Sequence, residues 1–363
     1  MSGGVDSSTA AWLLKEKGYE VIGATMCIGT MDSTSSGPAR CCSLADIEDA
    51  RRVALQLGIP FHVFHLRDEF EKKIIQYFCD EYRKGRTPNP CILCNEKLKF
   101  GSFLKKALEL GADYIATGHY AKLEYHESMG EYLLKKGVDR RKDQSYVLFS
   151  LTQDQLRHSL LPLGEHRKEE IRERAFQVGL RVHDKPESQE VCFIHDASYH
   201  SFLRERLRES IEPGPIVDRQ GNILGTHKGI AFYTVGQRRG LRLAKGSPLY
   251  VIGIDRGRNA LIVGEEKEVY AHTFTIDSVS WINPREMSSS FSAQVKIRYN
   301  HAGSEATVTP KGEKELEMRF EIPQKAITPG QAAVIYDGDR VLGGGWIKEV
   351  IKSSEWRVKS LEF

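Results

Sequence analysis

Apolar residues recur at helical spacing over 8–17, 46–57, 70–83 and 97–110. Three of these helices run into Gly18, Gly58 and Gly111, where a left-handed residue ends a helix. Between them, short apolar runs at 19–26, 61–66 and 113–117 predict strands. Strand–helix alternation of this kind predicts an α/β domain, a parallel sheet with helices on both faces. The pattern changes after about Gly137, with helices predicted near 152–160, 167–178 and 198–209. From Gly214 the chain turns to short apolar or alternating segments broken by glycine. Strands at 214–217, 223–226, 249–255 and 260–263 predict a small β-rich unit. Those at 274–281, 292–299, 305–309, 316–320, 332–336 and 340–347 predict a barrel or sandwich. No internal repeat or low-complexity segment interrupts the series.

A chain of 363 residues exceeds one ordinary core. The pattern divides it at 1–205, 206–270 and 271–363. Hydrophobic content of 40% and charged content of 28% fit a globular protein. No apolar run approaches the roughly 18–20 residues that span a bilayer. No basic segment followed by an apolar one marks an export leader. The expectation is therefore a cytoplasmic protein without a membrane partner, whose thiols stay reduced. Seven cysteines, an odd number, then read as catalytic or metal-binding rather than as a disulfide framework. A net charge of +3 neither demands nor excludes nucleic acid, so local charge must decide.

The chain opens Met1-Ser2-Gly3-Gly4-Val5-Asp6-Ser7-Ser8. Two glycines let backbone N–H groups approach an anion, serine hydroxyls add donors, and the helix that follows points its positive end at the same place. A phosphate or pyrophosphate fits this description better than a flexible leader ahead of a capped helix. Ser-Gly-Gly-x-Asp-Ser-Ser resembles the signature of the PP-loop ATP pyrophosphatases. The resemblance implies ATP held at Met1, Ser2, Gly3, Gly4, Val5, Asp6, Ser7 and Ser8, with Mg²⁺ on the phosphates. It implies attack of a substrate oxygen on the α-phosphorus and loss of pyrophosphate. It also implies a hydrophobic strand running into the loop, for which the sequence from Met1 has no residues.

Arg86-Thr-Pro-Asn-Pro-Cys91-Ile-Leu-Cys94-Asn95 enters the helix predicted from about Lys97. A thiol at a helix N-terminus near Arg83, Lys84, Arg86 and Lys97 has its thiolate favoured, which makes Cys94 a candidate nucleophile. Cys192 lies in Glu187-Ser-Gln-Glu-Val-Cys192. Three readings stand. Cys94 and Cys192 form a sulfur-handling pair, one carrying a persulfide. Alternatively Cys91, Cys94 and Cys192 ligate a [4Fe–4S] cluster with one open iron. In the third, Cys91 and Cys94 are half of a zinc site, although no second Cys-x-x-Cys follows. Cys27, Cys41, Cys42 and Cys79 read as core.

Thr87-Pro-Asn-Pro with Cys94-Asn95, together with Glu187-Ser-Gln-Glu-Val-Cys192, is similar to the tRNA-specific 2-thiouridylase (MnmA) branch of that superfamily. So are Ala116-Thr-Gly118-His119-Tyr120-Ala121 and Lys142-Asp143-Gln144-Ser145-Tyr146. The similarity runs from Met1 to the C-terminus. It implies a PP-loop (adenine nucleotide alpha hydrolase-like) parallel-sheet domain, a small β-rich central domain that binds tRNA, and a C-terminal β-barrel. It implies Cys94 as nucleophile, Cys192 as persulfide carrier, and Met26 and Gly118 beside ATP. It places Asn89, Pro90, Cys91, His119, Lys142, Asp143, Gln144, Arg298, Tyr299 and Gln331 at the tRNA. The implied reaction adenylates the wobble uridine and then transfers sulfur. The substrates are tRNAs accepting Lys, Glu and Gln, the sulfur comes from a persulfide or sulfide donor protein, and the chain works as a monomer. Cys91 stands where some relatives have aspartate, so persulfide and cluster chemistry both remain open.

The run His227–Lys245 holds five Lys/Arg and no acid, interleaved with Phe232, Tyr233 and glycines. Such a patch neutralises phosphates while rings pack beside sugar or base. Arg140-Arg141-Lys142 is a second basic cluster. Two competitors remain. A small-molecule synthetase on the same loop would need no RNA, and an inactive homologue would bind tRNA without ATP turnover.

Overall fold

The computed structural model describes residues 1–29, 44–186, 191–194, 199–208, 211–243, 247–283 and 289–351. Cys41, Cys42, residues 187–190 and Lys245 lie outside these. Helix α1 (Val5–Glu16) buries Val5, Ala10, Ala11, Leu13 and Leu14 and stops before Gly18, whose φ is +85°. Strand β1 (Gly23–Cys27) pairs in parallel with β2 (Phe61–His65), and α2 (Leu44–Leu57) crosses between them. A second parallel pair joins β3 (Ile115–Ala116) to β6 (Ser159–Leu160). The strand expected at 113–117 thus shrinks to two paired residues.

Two long helical runs follow β2. The first, α3 (67–83), is π-wound over Glu71–Ile75. The second, α4 (90–109), begins with Pro90–Leu93 and is π-wound over Cys94–Phe103. It starts seven residues earlier than the periodicity implied. Pro90 occupies the first helical position and the Asn89 side chain accepts the Cys91 N–H at 3.2 Å. A proline there loses no helical hydrogen bond, and asparagine is a preferred cap.

The hairpin β4 (Ala121–His126) and β5 (Glu131–Lys136) was not anticipated, although its residues alternate. After it come α5 (Gln153–Arg157) with a Thr152 capping box, α6 (Lys168–Gln177) and α7 (Tyr199–Arg206). The middle unit orders its strands β8 (Ile223–His227), β7 (Gly214–Val217), β10 (Ala260–Gly264) and β9 (Tyr250–Asp255), with β7 and β10 parallel.

The last unit is a closed six-stranded barrel. Its strands are β11 (Tyr270–Trp281), β12 (Phe291–Lys296), β13 (Ser304–Gly312), β14 (Glu315–Lys325), β15 (Ala332–Asp337) and β16 (Arg340–Ile351). They run in the order β11-β14-β13-β12-β15-β16 and close through β11–β16. Closure leaves no unpaired edge. Phe274, Val295, Met318, Phe320 and Ile335 fill the interior. The hairpin β4–β5 attaches to the barrel outside, where Lys135 pairs with Arg340.

Two shared cores lock the units together. Ile92, Phe100, Tyr146 and Leu148 of the first domain pack with Ala332, Val334, Tyr336 and Val341 of the barrel. Ile74, Phe78 and Tyr82 of α3 pack with Phe232, Tyr233, Val251 and Leu261 of the middle unit. Helix α4 therefore lies between both neighbours, with Ile92 facing one and Leu93 and Cys94 the other. No described helix is long and apolar enough to cross a membrane.

Candidate active site at the phosphate loop and the cysteine helix

The first turn of α1 presents the N–H groups of Val5, Asp6 and Ser7 ahead of the first helical bond, Ser8 N to Gly4 O. Such unsatisfied donors with the helix dipole behind them suit an anion. Gly3 has a φ of +70°, and a Cβ there would fall 2.4 Å from Asp46 O. A Cβ on Gly118 would fall 2.8 Å from Asp6 C and 2.9 Å from Ser7 N. Both glycines are thus required by the packing of the loop. Ser2 N donates to Ser7 Oγ at 3.0 Å, and the Ser8 hydroxyl turns back to Gly4 O at 2.9 Å. Met1 extends alongside β1: its amino group donates to Ala24 O, and its carbonyl accepts Thr25 Oγ1 at 2.6 Å.

Two lysines brace this loop. Lys168 Nζ donates to Asp6 Oδ1 and Oδ2 at 2.7 and 2.8 Å, and Tyr120 OH donates to Asp6 Oδ1 at 2.7 Å. Lys185 Nζ donates to Gly3 O at 3.0 Å and to Asp46 and Asp49 at 2.8 Å each. The two carboxylates outweigh burial and hold the Lys185 ammonium above its ordinary pKa, although burial is the largest single influence.

Cys94 is half-buried at the start of the π-wound stretch, a geometry often found at functional positions. It packs against the same apolar cluster as Met26, at the end of β1, and Val191 and Phe193, which flank Cys192. The fold therefore gathers the end of β1, the cysteine helix and the Cys192 segment round one core. Cys91, three residues before Cys94, keeps a solvent-accessible face within a crowded recess. The crowding pushes its thiol up, the nearby Cys192 adds to the rise, and Lys99 opposes it. Cys91 and Cys192 are thus close enough for one thiolate to oppose the other.

Two features round these thiols differ from the sequence pattern. Cys94 does not sit at a helix N-terminus, because the helix starts at Pro90 and Cys91 is the residue in its first turn. The four flanking cations are committed to carboxylates: Arg83 to Asp80, Lys84 and Arg86 to Glu81, and Lys97 to Glu96. Among the described residues no three His, Cys, Asp or Glu side chains stand together as a metal site. Cys91 keeps an exposed face and Cys94 is half-buried on the apolar cluster, so the described side chains offer no ready three-thiol set for the [4Fe–4S] reading of Cys91, Cys94 and Cys192 and no four-ligand set for the zinc reading of Cys91 and Cys94.

The remaining candidates fall into supports and surfaces. Gln331 Nε2 donates to Thr87 O at 2.9 Å and Pro88 O at 3.3 Å, and Thr87 N donates to Pro329 O at 2.9 Å. Thr87 Oγ1 also meets Thr234 Oγ1 of the middle unit at 3.1 Å. The loop carrying Asn89 and Pro90 is thus held by both later domains. His119 is buried, with Nδ1 2.7 Å from Thr117 Oγ1. Burial, and secondarily Lys99, keep it well below the usual histidine pKa, so the ring is neutral. Asp143 is buried and caps a turn, accepting Gly137 N at 3.1 Å and the Ser145 N–H and hydroxyl at 3.1 and 3.0 Å. Gln144 Oε1 accepts Tyr120 N at 3.0 Å. Lys142 is half-buried on the same turn. Arg298 donates to Lys325 O at 2.9 Å, and Tyr299 meets Tyr146 edge-on at 6.2 Å. In the 227–245 run, Phe232 and Tyr233 are core residues rather than a stacking platform. Lys228, Arg238, Arg239 and Arg242 remain exposed there.

Comparison with known proteins matches three consecutive family models. Residues 1–196 match the tRNA methyl transferase HUP domain, 200–265 the tRNA methyl transferase PRC-barrel domain, and 271–347 the aminomethyltransferase beta-barrel domain. The chain is 51% identical to tRNA-specific 2-thiouridylase MnmA of Halothermothrix orenii, over 96% of this chain and 98% of that protein. It is 50% identical to the protein of the same name from Acetivibrio thermocellus, again over 96% and 98%. For Clostridioides difficile the identity is 48%, over 96% and 97%. The chain belongs to the tRNA-specific 2-thiouridylase family.

As a member of the 2-thiouridylase family it is similar to its relatives over nearly its whole length, the segments of Ser2–Ser8, Cys94 and Cys192 included in the first matched domain. The sequence reading missed Lys168 and Lys185, which hold the loop from 162 and 182 residues away. Lys185 stands two residues before the Glu187–Cys192 string, a proximity that could have drawn notice. Lys168 carried no local signal, because a lysine opening a helix is ordinary on a solvent face.

Proposed function

We propose that the chain is an ATP-dependent tRNA-uridine 2-sulfurtransferase acting on the wobble uridine. The observation that carries the reading is the gathering of Cys94, the Cys192 segment and Met26 round one cluster at the end of β1. The loop of Ser2–Ser8 takes the triphosphate, whose charge Mg²⁺ and the helix N-terminus offset. Gly3 and Gly118 leave no room for a Cβ against Asp46 and Asp6, so the loop is held in one shape ready for the phosphates.

The uridine must leave its stack to reach the thiols. Its 2-oxygen attacks the α-phosphorus, and pyrophosphate departs. The terminal sulfur of a Cys192 persulfide then attacks C2, losing its proton, and AMP leaves with the former 2-oxygen. Cys94 thiolate attacks Cys192 Sγ, forming a disulfide and releasing the 2-thiouridine. A cellular dithiol reduces the disulfide, and a persulfide donor protein reloads Cys192. Asn89, Pro90 and Gln331 shape the entrance, Lys142 and Gln144 face the tRNA on the turn that buried Asp143 caps, and Arg298 and Tyr299 extend that face onto the barrel. Lys228, Arg238, Arg239 and Arg242 add phosphate contacts. On this reading the substrates are tRNAs for Lys, Glu and Gln, and the enzyme is a cytoplasmic monomer.

Purified protein incubated with ATP, Mg²⁺, a persulfide donor and unmodified tRNA should yield 2-thiouridine on nucleoside analysis. Cys94→Ser and Cys192→Ser should each abolish it while tRNA binding persists. AMP formation that needs no tRNA would favour a small-molecule synthetase instead. tRNA binding with no AMP formed at all would indicate an inactive homologue.

A further inference from the structure

Asp6 of the phosphate loop stands at the head of two chains of hydrogen bonds that run through buried residues. One runs through Tyr120, whose hydroxyl donates to Asp6 Oδ1 at 2.7 Å. The Tyr120 backbone exchanges bonds with Gln144: Tyr120 N to Gln144 Oε1 at 3.0 Å and Gln144 N to Tyr120 O at 2.9 Å. The other runs through Lys168, whose ammonium bridges both Asp6 oxygens. Lys168 N donates to Asp139 Oδ2 at 3.1 Å, and Asp139 Oδ1 accepts Arg141 N at 3.1 Å. Tyr120, Lys168 and Asp139 are 3%, 4% and 5% exposed.

The two chains leave one loop carboxylate and arrive at opposite ends of the 139–144 turn. Each chain passes through one buried residue, Tyr120 or Lys168, whose side chain holds Asp6 while its backbone holds the turn, and Gly118, two residues before Tyr120, is pressed against Asp6 itself. Networks tied through buried groups in this way do not deform one group at a time. A buried ammonium must also keep its carboxylate, so Lys168 cannot follow the turn without Asp6 following.

We propose that Tyr120 and Lys168 are positioning residues that couple tRNA engagement at 140–144 to the geometry of the phosphate loop, so that each ligand tightens the other. The inference rests on the reading of the loop as the ATP site and of the turn as a tRNA face. It gives the enzyme a means of restricting ATP consumption to the tRNA-bound state. Coupling of binding energies is reciprocal, so it is measurable from either side.

The test uses the full chain, α,β-methylene-ATP and unmodified tRNA. Dissociation constants for each are measured with and without the other. In wild-type protein each ligand should tighten the other by at least about fivefold. Tyr120→Phe removes one hydroxyl without emptying the site and should bring that factor to within about twofold of unity. Lys168→Arg keeps the charge and should retain more of the coupling than Lys168→Met. Undiminished coupling in Tyr120→Phe overturns the proposal, as does wild-type protein that binds the two ligands independently. Independent binding alongside normal 2-thiouridine formation leaves the proposed function standing. Failure of wild-type protein to bind either ligand removes both.

Discussion

Gly118→Ala places one methyl group against the phosphate loop. The added Cβ would lie 2.8 Å from Asp6 C and Cβ and 2.9 Å from Ser7 N, where ordinary contact begins at 3.4 Å. These are mostly backbone atoms of the first turn of α1, so no flexible side chain can swing aside. Asp6 and Ser7 must retreat by about half an ångström or the segment that follows β3 must, a strain of about 1–3 kcal/mol. The unfolding midpoint should fall by about 2–12 °C, read by circular dichroism. Displacing the donors that meet the triphosphate should lower kcat/KM for ATP by about 10–100-fold. AMP release under tRNA saturation measures this. A variant with wild-type kcat/KM and an unchanged unfolding midpoint would refute the claim that Gly118 fixes the loop. A lower midpoint with intact ATP kinetics would confine the contact to stability.

Gln331→Ala removes the amide that holds Thr87 O and Pro88 O, and should cost about 1 kcal/mol of stability while weakening thiolation more than ATP binding. Equal loss in both would place its effect elsewhere. Each of Lys228, Arg238, Arg239 and Arg242 changed to Ala should reduce the slope of log Kd for tRNA against log salt by about 0.7–0.9, without changing the melting temperature. Phe232→Ala should instead destabilise the middle unit by about 3–5 kcal/mol, because its ring is core. His119, His166, His227 and His301 are all held below the free histidine pKa, chiefly by burial. The unfolded chain therefore binds more protons as pH falls through about 6.5, and stability present above that pH is lost below it. Unfolding midpoints from pH 7.5 to 5.5 should decline, less steeply in His119→Gln, and a flat profile would contradict the assignment.

What was legible in the sequence was local. The phosphate loop and its helix could be read because glycine, serine and a helix start act within one turn. The six barrel strands could be read because alternation of burial follows from the pleat. The early start of α4 was written in Asn89-Pro90, a cap and a first-turn proline, yet helical periodicity alone began it at Lys97. What only the tertiary structure decided was partnership. Phe232 and Tyr233 read as an RNA-facing platform beside cations until packing turned both rings into a core shared with α3. The hairpin at 121–136 gained its place by pairing with Arg340, more than two hundred residues along the chain. Lys168 and Lys185 became braces of the phosphate loop only when folding brought Asp6 and Gly3 to them. Side-chain period depends on neighbours along the backbone and so survives in the sequence. Which carboxylate meets which ammonium depends on the closed shape of the whole chain, and no local pattern encodes it.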